Sequence, residues 1–415
     1  MDVVTTTKQE LHALWSDGKG PSLVAISSGW GILLGTRMIY PVVLPYIRSE
    51  FGISLATAGL LVTVLWMGSA VGQLPGGVLA DRYSERFVMT VGTVLVAGAL
   101  ALVVTAATLP VIFLTTALVG LGQSLYPIAR ITILTEIYPD RIGSSLGVTM
   151  ATGDLGQTVL PPIASAVAAA VAWQAGLGFM IPLLLLVGVF LWVALPNGAD
   201  VEATGDSLSL GDAGYVVSEL RRANMGFVGL ILFLYILIWQ SFTGLYPTYL
   251  VEHKQLTSAT AGLLFSAFFA FGVIIKPIAG AAYDRIGIKT ALVAVLVGPV
   301  VGLALLPVTQ GFWPLVGITG LISTMLGSGA ITQSFLSDVI PGEIQGTGLG
   351  VVRTVTAVLG ALGPVLFGSL ADNGYFDEGY LLLAAILAVV ILLTVRLPAA
   401  ADRSASGGRS AGSDG

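Results

Sequence analysis

Apolar runs of about twenty residues, broken by short polar turns, recur along the whole chain. A helix of that length crosses a hydrocarbon core of about 30 Å. Lipid offers the backbone no hydrogen-bond partner, so only helices or closed barrels can cross it, and the period-two alternation of barrel strands is absent. The pattern predicts twelve membrane-spanning helices. Six run near 22–47, 55–80, 87–107, 111–137, 145–171 and 174–195, and six near 225–248, 258–282, 288–308, 313–338, 347–371 and 378–397.

One long polar interruption, 196–224, carries Asp200, Glu202, Asp206, Asp212, Glu219, Arg221 and Arg222. It is predicted to be a cytoplasmic linker between a six-helix bundle at 22–195 and another at 225–397. Within it, residues 215–220 suit a short interfacial helix. Residues 1–21 form a polar cytoplasmic N-terminal segment. The Ala/Ser/Gly-rich stretch 398–415 is expected to be a disordered cytoplasmic tail. The two bundles repeat each other. Thr57-Ala-Gly-Leu-Leu61 returns as Thr260-Ala-Gly-Leu-Leu264, Asp81-Arg82 as Asp284-Arg285, Leu146-Gly147-Val148 as Leu349-Gly350-Val351, and Pro161 as Pro364. Each pair is separated by 203 positions. A repeat this long is not a solenoid unit.

Composition agrees with the pattern. Of 415 residues, 55% are hydrophobic and 10% charged, and the mean hydropathy is +0.92. A soluble domain has roughly 25% charged residues. The first twenty residues lack the apolar core of a cleavable signal, so the first span is expected to direct insertion. The chain has no cysteine and only His12 and His253, both outside the predicted spans. That excludes a disulfide framework and a thiolate metal site and argues against a histidine one. The net charge of −5 identifies no partner, and no nucleic acid is expected. Positive charge sets the orientation. Lys8, Lys19, Arg82, Arg86, Arg141, Arg221, Arg222, Arg285, Lys289, Arg396, Arg403 and Arg409 lie on one side, Arg48 and Lys254 on the other. Both termini are therefore expected in the cytoplasm, and the halves are parallel repeats related by an axis along the membrane normal.

The loop after the second span reads Gly77-Val-Leu-Ala-Asp81-Arg82-Tyr-Ser-Glu-Arg86. Its mate after the eighth reads Gly280-Ala-Ala-Tyr-Asp284-Arg285-Ile-Gly287-Ile-Lys289. A glycine permits close helix approach, and an aspartate suits a helix N-terminus. With these motifs in both halves, twelve spans and a central loop, the whole chain resembles the major facilitator superfamily. It departs at Ser84, where that family usually has glycine, and at Glu85. The resemblance implies an alternating-access transporter whose residues Gly77, Asp81, Arg82, Arg86, Gly280, Asp284, Arg285 and Lys289 gate conformational change. Glu136 and Asp338, at the ends of the fourth and tenth spans, are expected to bridge the loop arginines or Arg353. The bland reading of these charges is topology and solvation.

Ionisable residues within spans are Arg37, Arg130, Asp154, Lys276 and Arg353. A charge at bilayer depth costs at least about 2.5–3.5 kcal/mol, so each needs a partner or a wet cavity. Arg130 and Asp154 lie at similar depth on consecutive spans and form a candidate ion pair. Arg353 and Asp338 are placed likewise, and Lys276 can snorkel. Arg37 lies mid-span with no carboxylate on its own helix. An arginine there is an anion receptor, unless it pairs internally with Asp154. Asp154 is either a static partner or a proton-coupling site. By resemblance, the first, fourth, seventh and tenth spans line the central cavity. They supply Trp30, Tyr40, Tyr126, Tyr235, Trp239, Gln240, Gln333 and Ser334 beside Arg37 and Arg130.

These residues lead to a secondary transporter of a small organic anion, carboxylate or phosphate-bearing, driven by a proton or sodium gradient. It is expected to act as a monomer in the plasma membrane without a cofactor. The alternative is a proton-driven drug or metabolite exporter of the same superfamily. The fifth span, Gly153-Asp-Leu-Gly156-Gln-Thr-Val-Leu-Pro161-Pro162, matches the exporters' glycine–proline motif only in part. The eleventh, Gly360-Ala-Leu-Gly363-Pro364, matches better. No catalytic constellation argues for an enzyme, no charge ring for a channel, and no phosphate-binding loop for ATP as the energy source.

Overall fold

The computed structural model describes residues 14–15, 18–73, 76, 79, 82–196, 225–329, 331–332 and 345–396, with backbone alone at 225–227 and 345–351. Gly77, Asp81, Gln333, Ser334 and Asp338 lie outside the described residues, as do most of the linker and the tail. The described residues contain no strand.

The helices run in chain order as α1 (Gly20–Phe51), α2 (Leu55–Val71), α3 (Glu85–Val104), α4 (Leu109–Ser124), α5 (Tyr126–Ile137), α6 (Ile142–Ala170), α7 (Trp173–Gly178) and α8 (Met180–Ala194). They continue as α9 (Met225–Thr248), α10 (Ser258–Leu305), α11 (Phe312–Ser323), α12 (Gln345–Gly360), α13 (Gly363–Asp372) and α14 (Phe376–Val395). Among the described residues, nine helical stretches are long and apolar enough to cross a membrane. One of them is α4 with α5, and another is α7 with α8. The predicted eighth and ninth spans form the single helix α10, broken at Gly287 where φ is 74°. A side chain is strained at that φ. Its mate in the 203-residue frame is Ser84, which sits in extended backbone. There its hydroxyl accepts the Phe87 amide at 3.2 Å and caps α3. The two loops therefore end their turns by different means. Serine replaces glycine where a cap is made and no positive φ is needed.

The described residues fall into two compact units. One draws on the described residues within 1–53, 64–206 and 257–263, the other on those within 54–63, 207–256 and 264–415. In the first unit α1 packs along α6. The contact is close because small residues face each other: a Cβ on Gly156 would overlap the Gly31 carbonyl, and one on Gly35 would meet Gly156. Dispersion at short range holds helices together where lipid supplies no hydrophobic drive. Helix α3 packs on α4 and α8. In the second unit α9 packs on α12, α13 and α14. The Asp372 carboxylate at the end of α13 accepts the Leu55 and Ala56 amides at 2.6 and 2.8 Å, capping α2. Such a cap satisfies orphan donors at the positive end of the helix dipole.

One tie occurs in both units. Thr116 of α4 donates to the buried Tyr40 hydroxyl of α1 at 3.4 Å, and Thr319 of α11 shares a 2.6 Å hydrogen bond with the buried Tyr246 of α9. The threonines are frame mates. The tyrosines sit one helical turn apart in that frame, each just before a proline, Pro41 and Pro247. Beyond Pro41 the helix continues to Phe51, whereas beyond Pro247 it passes into a π-turn at Tyr249–His253.

Replacing Gly156 with alanine is expected to destabilise the protein by about 1–3 kcal/mol through overpacking. Gly98→Ala meets open space and is expected to leave stability unchanged or raised. Thermal unfolding in detergent compares the two, and equal midpoints would refute the close-packing account.

Candidate functional site

Arg37 stands at the centre of a polar cluster in the first unit, built by α1, α2 and α4. Its Nε donates to Gln123 Oε1 at 2.8 Å, and its Nη2 donates to Ser69 Oγ at 2.6 Å. The guanidinium lies over the Trp66 ring, 4.7 Å from the centroid, a geometry worth about 0.5–2 kcal/mol. Gln123 Nε2 donates in turn to the Leu33 carbonyl at 3.2 Å. That bond fixes the carboxamide so that its oxygen faces Arg37. Ser69, Gln123 and Trp66 are buried, whereas Arg37 is partly accessible. Helices α2 and α4 approach closely at Gly68 and Gly120, which brings Ser69 and Gln123 to one arginine.

The second guanidinium is buried. Arg130 donates from Nη1 to Thr149 Oγ1 at 2.7 Å and lies 4.1 Å from the centroid of Trp30. Trp30 stacks in turn on Tyr126, whose hydroxyl donates to the Ile26 carbonyl at 2.8 Å. The expected pair of Arg130 with Asp154 is not formed. Thr149 and Asp154 are five residues apart on α6, about 140° around the helix at 100° per residue. Matching depth does not bring the second one round to Arg130. Asp154 instead lies within reach of Gln157 Nε2 at 3.4 Å and has further interactions of its own. No carboxylate contacts Arg37 or Arg130 among the described residues, so the internal pair of Arg37 with Asp154 is not formed either.

The remaining sequence candidates divide by accessibility. Tyr40 and Tyr126 are fully buried with their hydroxyls engaged inside the unit, so the structure removes them from the accessible set. Both face helix contacts, which a helix-phase argument alone does not separate from a cavity. In the second unit Trp239 is partly accessible, Tyr235 donates to the Met325 carbonyl, and Gln240 is buried. The Gln240 Oε1 has no hydrogen-bond partner among the described residues. Of the loop residues, Arg86 donates to the Leu195 carbonyl at 3.3 Å and lies over Trp192. It thereby serves the open C-terminus of α8. Glu136, Arg82 and Arg285 are exposed, and Glu136 joins neither Arg82 nor Arg86. Asp284, Lys289, Lys276 and Arg353 each have interactions of their own, and a Cβ on Gly280 would meet open space. Sequence reasoning missed Ser69, Trp66 and Gln123. The signal was a glutamine near the end of α4, where the other polar residues are threonines and a serine, and a serine one turn after a tryptophan on α2.

Apolar helices of membrane length, and charges at mid-span held by neutral groups, define a multi-pass helical membrane protein. The family model described as Major Facilitator Superfamily matches residues 26–225 and 228–413. The hexuronate transporter of Bacillus subtilis is 24% identical over 383 residues, 86% of this chain and 89% of that protein. The sialic acid transporter NanX of Escherichia coli is 26% identical over 363 residues, 85% and 87% of the two chains. The fosmidomycin resistance protein of Escherichia coli is 23% identical, over 85% and 87%. In fold, the chain is similar to the crystal structure of a point mutant of the nucleoside transporter NupG. The TM-score is 0.76 at 15% identity, covering 90% of this chain and 98% of that one. The chain belongs to the Major Facilitator Superfamily, and it is a transporter rather than an enzyme.

Thr149→Val leaves a buried guanidinium short of an acceptor, which costs about 1–3 kcal/mol. Thr149→Ser keeps the hydroxyl and is expected to retain stability. Chemical denaturation in detergent distinguishes them, and equal loss in both variants would show that shape, not the hydrogen bond, matters there.

Proposed function

We propose that this protein carries a small organic anion, of carboxylate type, across the plasma membrane by alternating access. In this reading all twelve predicted segments cross, both termini are cytoplasmic, the monomer is the working unit, and a proton or sodium gradient drives transport. The observation that carries the proposal is Arg37. It is a partly accessible residue at mid-span whose guanidinium contacts are all neutral, so its positive charge has no internal counter-ion among the described residues. Such a group favours an anion over a neutral or cationic cargo. The relatives named for hexuronate and sialic acid support this, since both names denote carboxylate sugars.

Arg130, Trp239, Gln240 and Gln333 are proposed as further substrate contacts and Asp154 as the proton-coupling carboxylate. The charged loops, Gly77, Asp81, Arg82 and Arg86 with Gly280, Asp284, Arg285 and Lys289, are proposed as gates with Glu136, Asp338 and Arg353. A second reading, proton-driven export of drugs or metabolites, has two specific supports: the Gly360–Pro364 motif and a relative named for drug resistance.

The test uses purified protein in proteoliposomes. Wild type is expected to take up D-glucuronate and to be stabilised by it thermally, whereas hydrophobic cations have no effect. Arg37→Ala is expected to lose about 10²-fold in uptake, the size of a charge-assisted contact of about 3 kcal/mol. Stabilisation by cations alone, unchanged in Arg37→Ala, would favour the exporter. Asp154→Asn is expected to abolish acceleration of uptake by an inward pH gradient while leaving D-glucuronate binding measurable. Unchanged acceleration would remove Asp154 from coupling.

A further inference from the structure

We infer that Gln123 and Ser69 are positioning residues, which aim the guanidinium of Arg37 and keep its charge available for an anion. This rests on the anion reading of Arg37. A guanidinium has five N–H donors, set along a side edge (Nε and one Nη) and an end edge (the two Nη). Gln123 takes Nε and Ser69 takes Nη2. Two acceptors on different helices oppose rotation about the last torsion. Trp66 covers one face of the plane. Nη1 takes no partner among the described residues and is left to donate to a carboxylate. Gln123 cannot turn its nitrogen toward Arg37 without losing its own bond to the Leu33 carbonyl. The oxygen is thus held in place by the helix that carries the arginine.

The repeated frame gives an independent argument. The mates of Arg37, Trp66, Ser69 and Gln123 are Gln240, Phe269, Gly272 and Leu326. In the second unit the missing side chain of Gly272 leaves room for the Leu326 side chain, which packs against it. Where the frame has no arginine it also has no serine and no glutamine, and the same two helices meet through a glycine and a leucine. Helix packing at this position therefore does not require Ser69 or Gln123; the arginine does.

A glutamate at 123 would reach the same Nε and form an ion pair, an internal competitor for any anion. A glutamine gives the hydrogen bond without the charge. The bound anion then displaces no carboxylate, and its binding to Arg37 requires no proton uptake at that contact.

The experiment is calorimetric binding of D-glucuronate to the full-length protein in detergent from pH 6 to pH 8, with Arg37→Ala as the reference for the anion reading. Gln123→Glu is expected to weaken binding at least tenfold at pH 8. The ion pair with Arg37 keeps the new carboxyl ionised throughout this range, so the loss is expected to persist from pH 8 to pH 6 and to exceed that of the neutral Gln123→Leu. Gln123→Leu and Ser69→Ala are each expected to weaken binding at least threefold, and they carry the test should Gln123→Glu not fold. Wild-type affinity for D-glucuronate in Gln123→Leu and Ser69→Ala, or in Gln123→Glu at pH 8, would overturn the inference while leaving the anion reading intact. Unchanged binding in Arg37→Ala would overturn the anion reading itself.

Discussion

A guanidinium placed among apolar helices must recover its lost hydration from the protein, and how it does so determines what it is free to bind. An arginine met by a carboxylate is satisfied and electrically closed. An arginine met by a carboxamide, a hydroxyl and an indole face is partly solvated but still charged. The first unit contains two of the second kind. Arg37 leans on Gln123, Ser69 and Trp66, and Arg130 on Thr149 and Trp30. Their difference is access. Arg130 is buried, and its Nε has no partner among the described residues. Arg37 is partly accessible as a residue, and in the proposed reading it closes its charge on the arriving anion.

That arrangement depends on close helix approach. The neutral side chains that reach Arg37 are short or medium in length, so the helices bearing them must come near each other. Gly68 and Gly120 allow this for α2 and α4, and Gly31 and Gly156 for α1 and α6. The second pair also puts Trp30 against Gly153 of α6, and Trp30 then presents its face to Arg130. Small residues thus do two things in one place. They give the dispersion contact that holds helices together in lipid, and they decide which polar groups can meet.

Most of the architecture was legible in the sequence because hydropathy and the repeat are both long-range signals. Helix occupies part of every predicted segment, and the frame of 203 aligns Ser84 with Gly287 and Thr116 with Thr319, pairs with related roles. The site was legible only in part. Depth along a helix could be counted, which placed Arg130 opposite Asp154, but angle around the helix could not, and five residues of phase gave the contact to Thr149. Tyr40 and Tyr126 read as cavity residues because polar aromatics on the first and fourth spans look alike from sequence. Burial shows that their hydroxyls tie helices together. Ser69 and Gln123 were passed over because neither carries a charge, and a charge search ranks partners by Coulomb energy instead of by hydrogen-bond geometry.

The asymmetry between the halves bears on which cargo the chain can favour. Where the frame repeats, it repeats structural ties: Tyr40 with Thr116, Tyr246 with Thr319. Where it breaks, it breaks as a set, since Arg37, Ser69 and Gln123 all give way to Gln240, Gly272 and Leu326. A cluster that changes together answers to one requirement, and the requirement here is a held, uncompensated positive charge. A hydrophobic cation would meet repulsion from Arg37 with no acidic group beside it, among the described residues, to offset that cost. In the proposed reading, an anion meets a guanidinium already held by two neutral acceptors. The torsional freedom usually lost on binding an arginine has been given up during folding. In the proposed reading, the neutral cradle favours an anion twice, through charge and through the entropy already lost in holding the guanidinium.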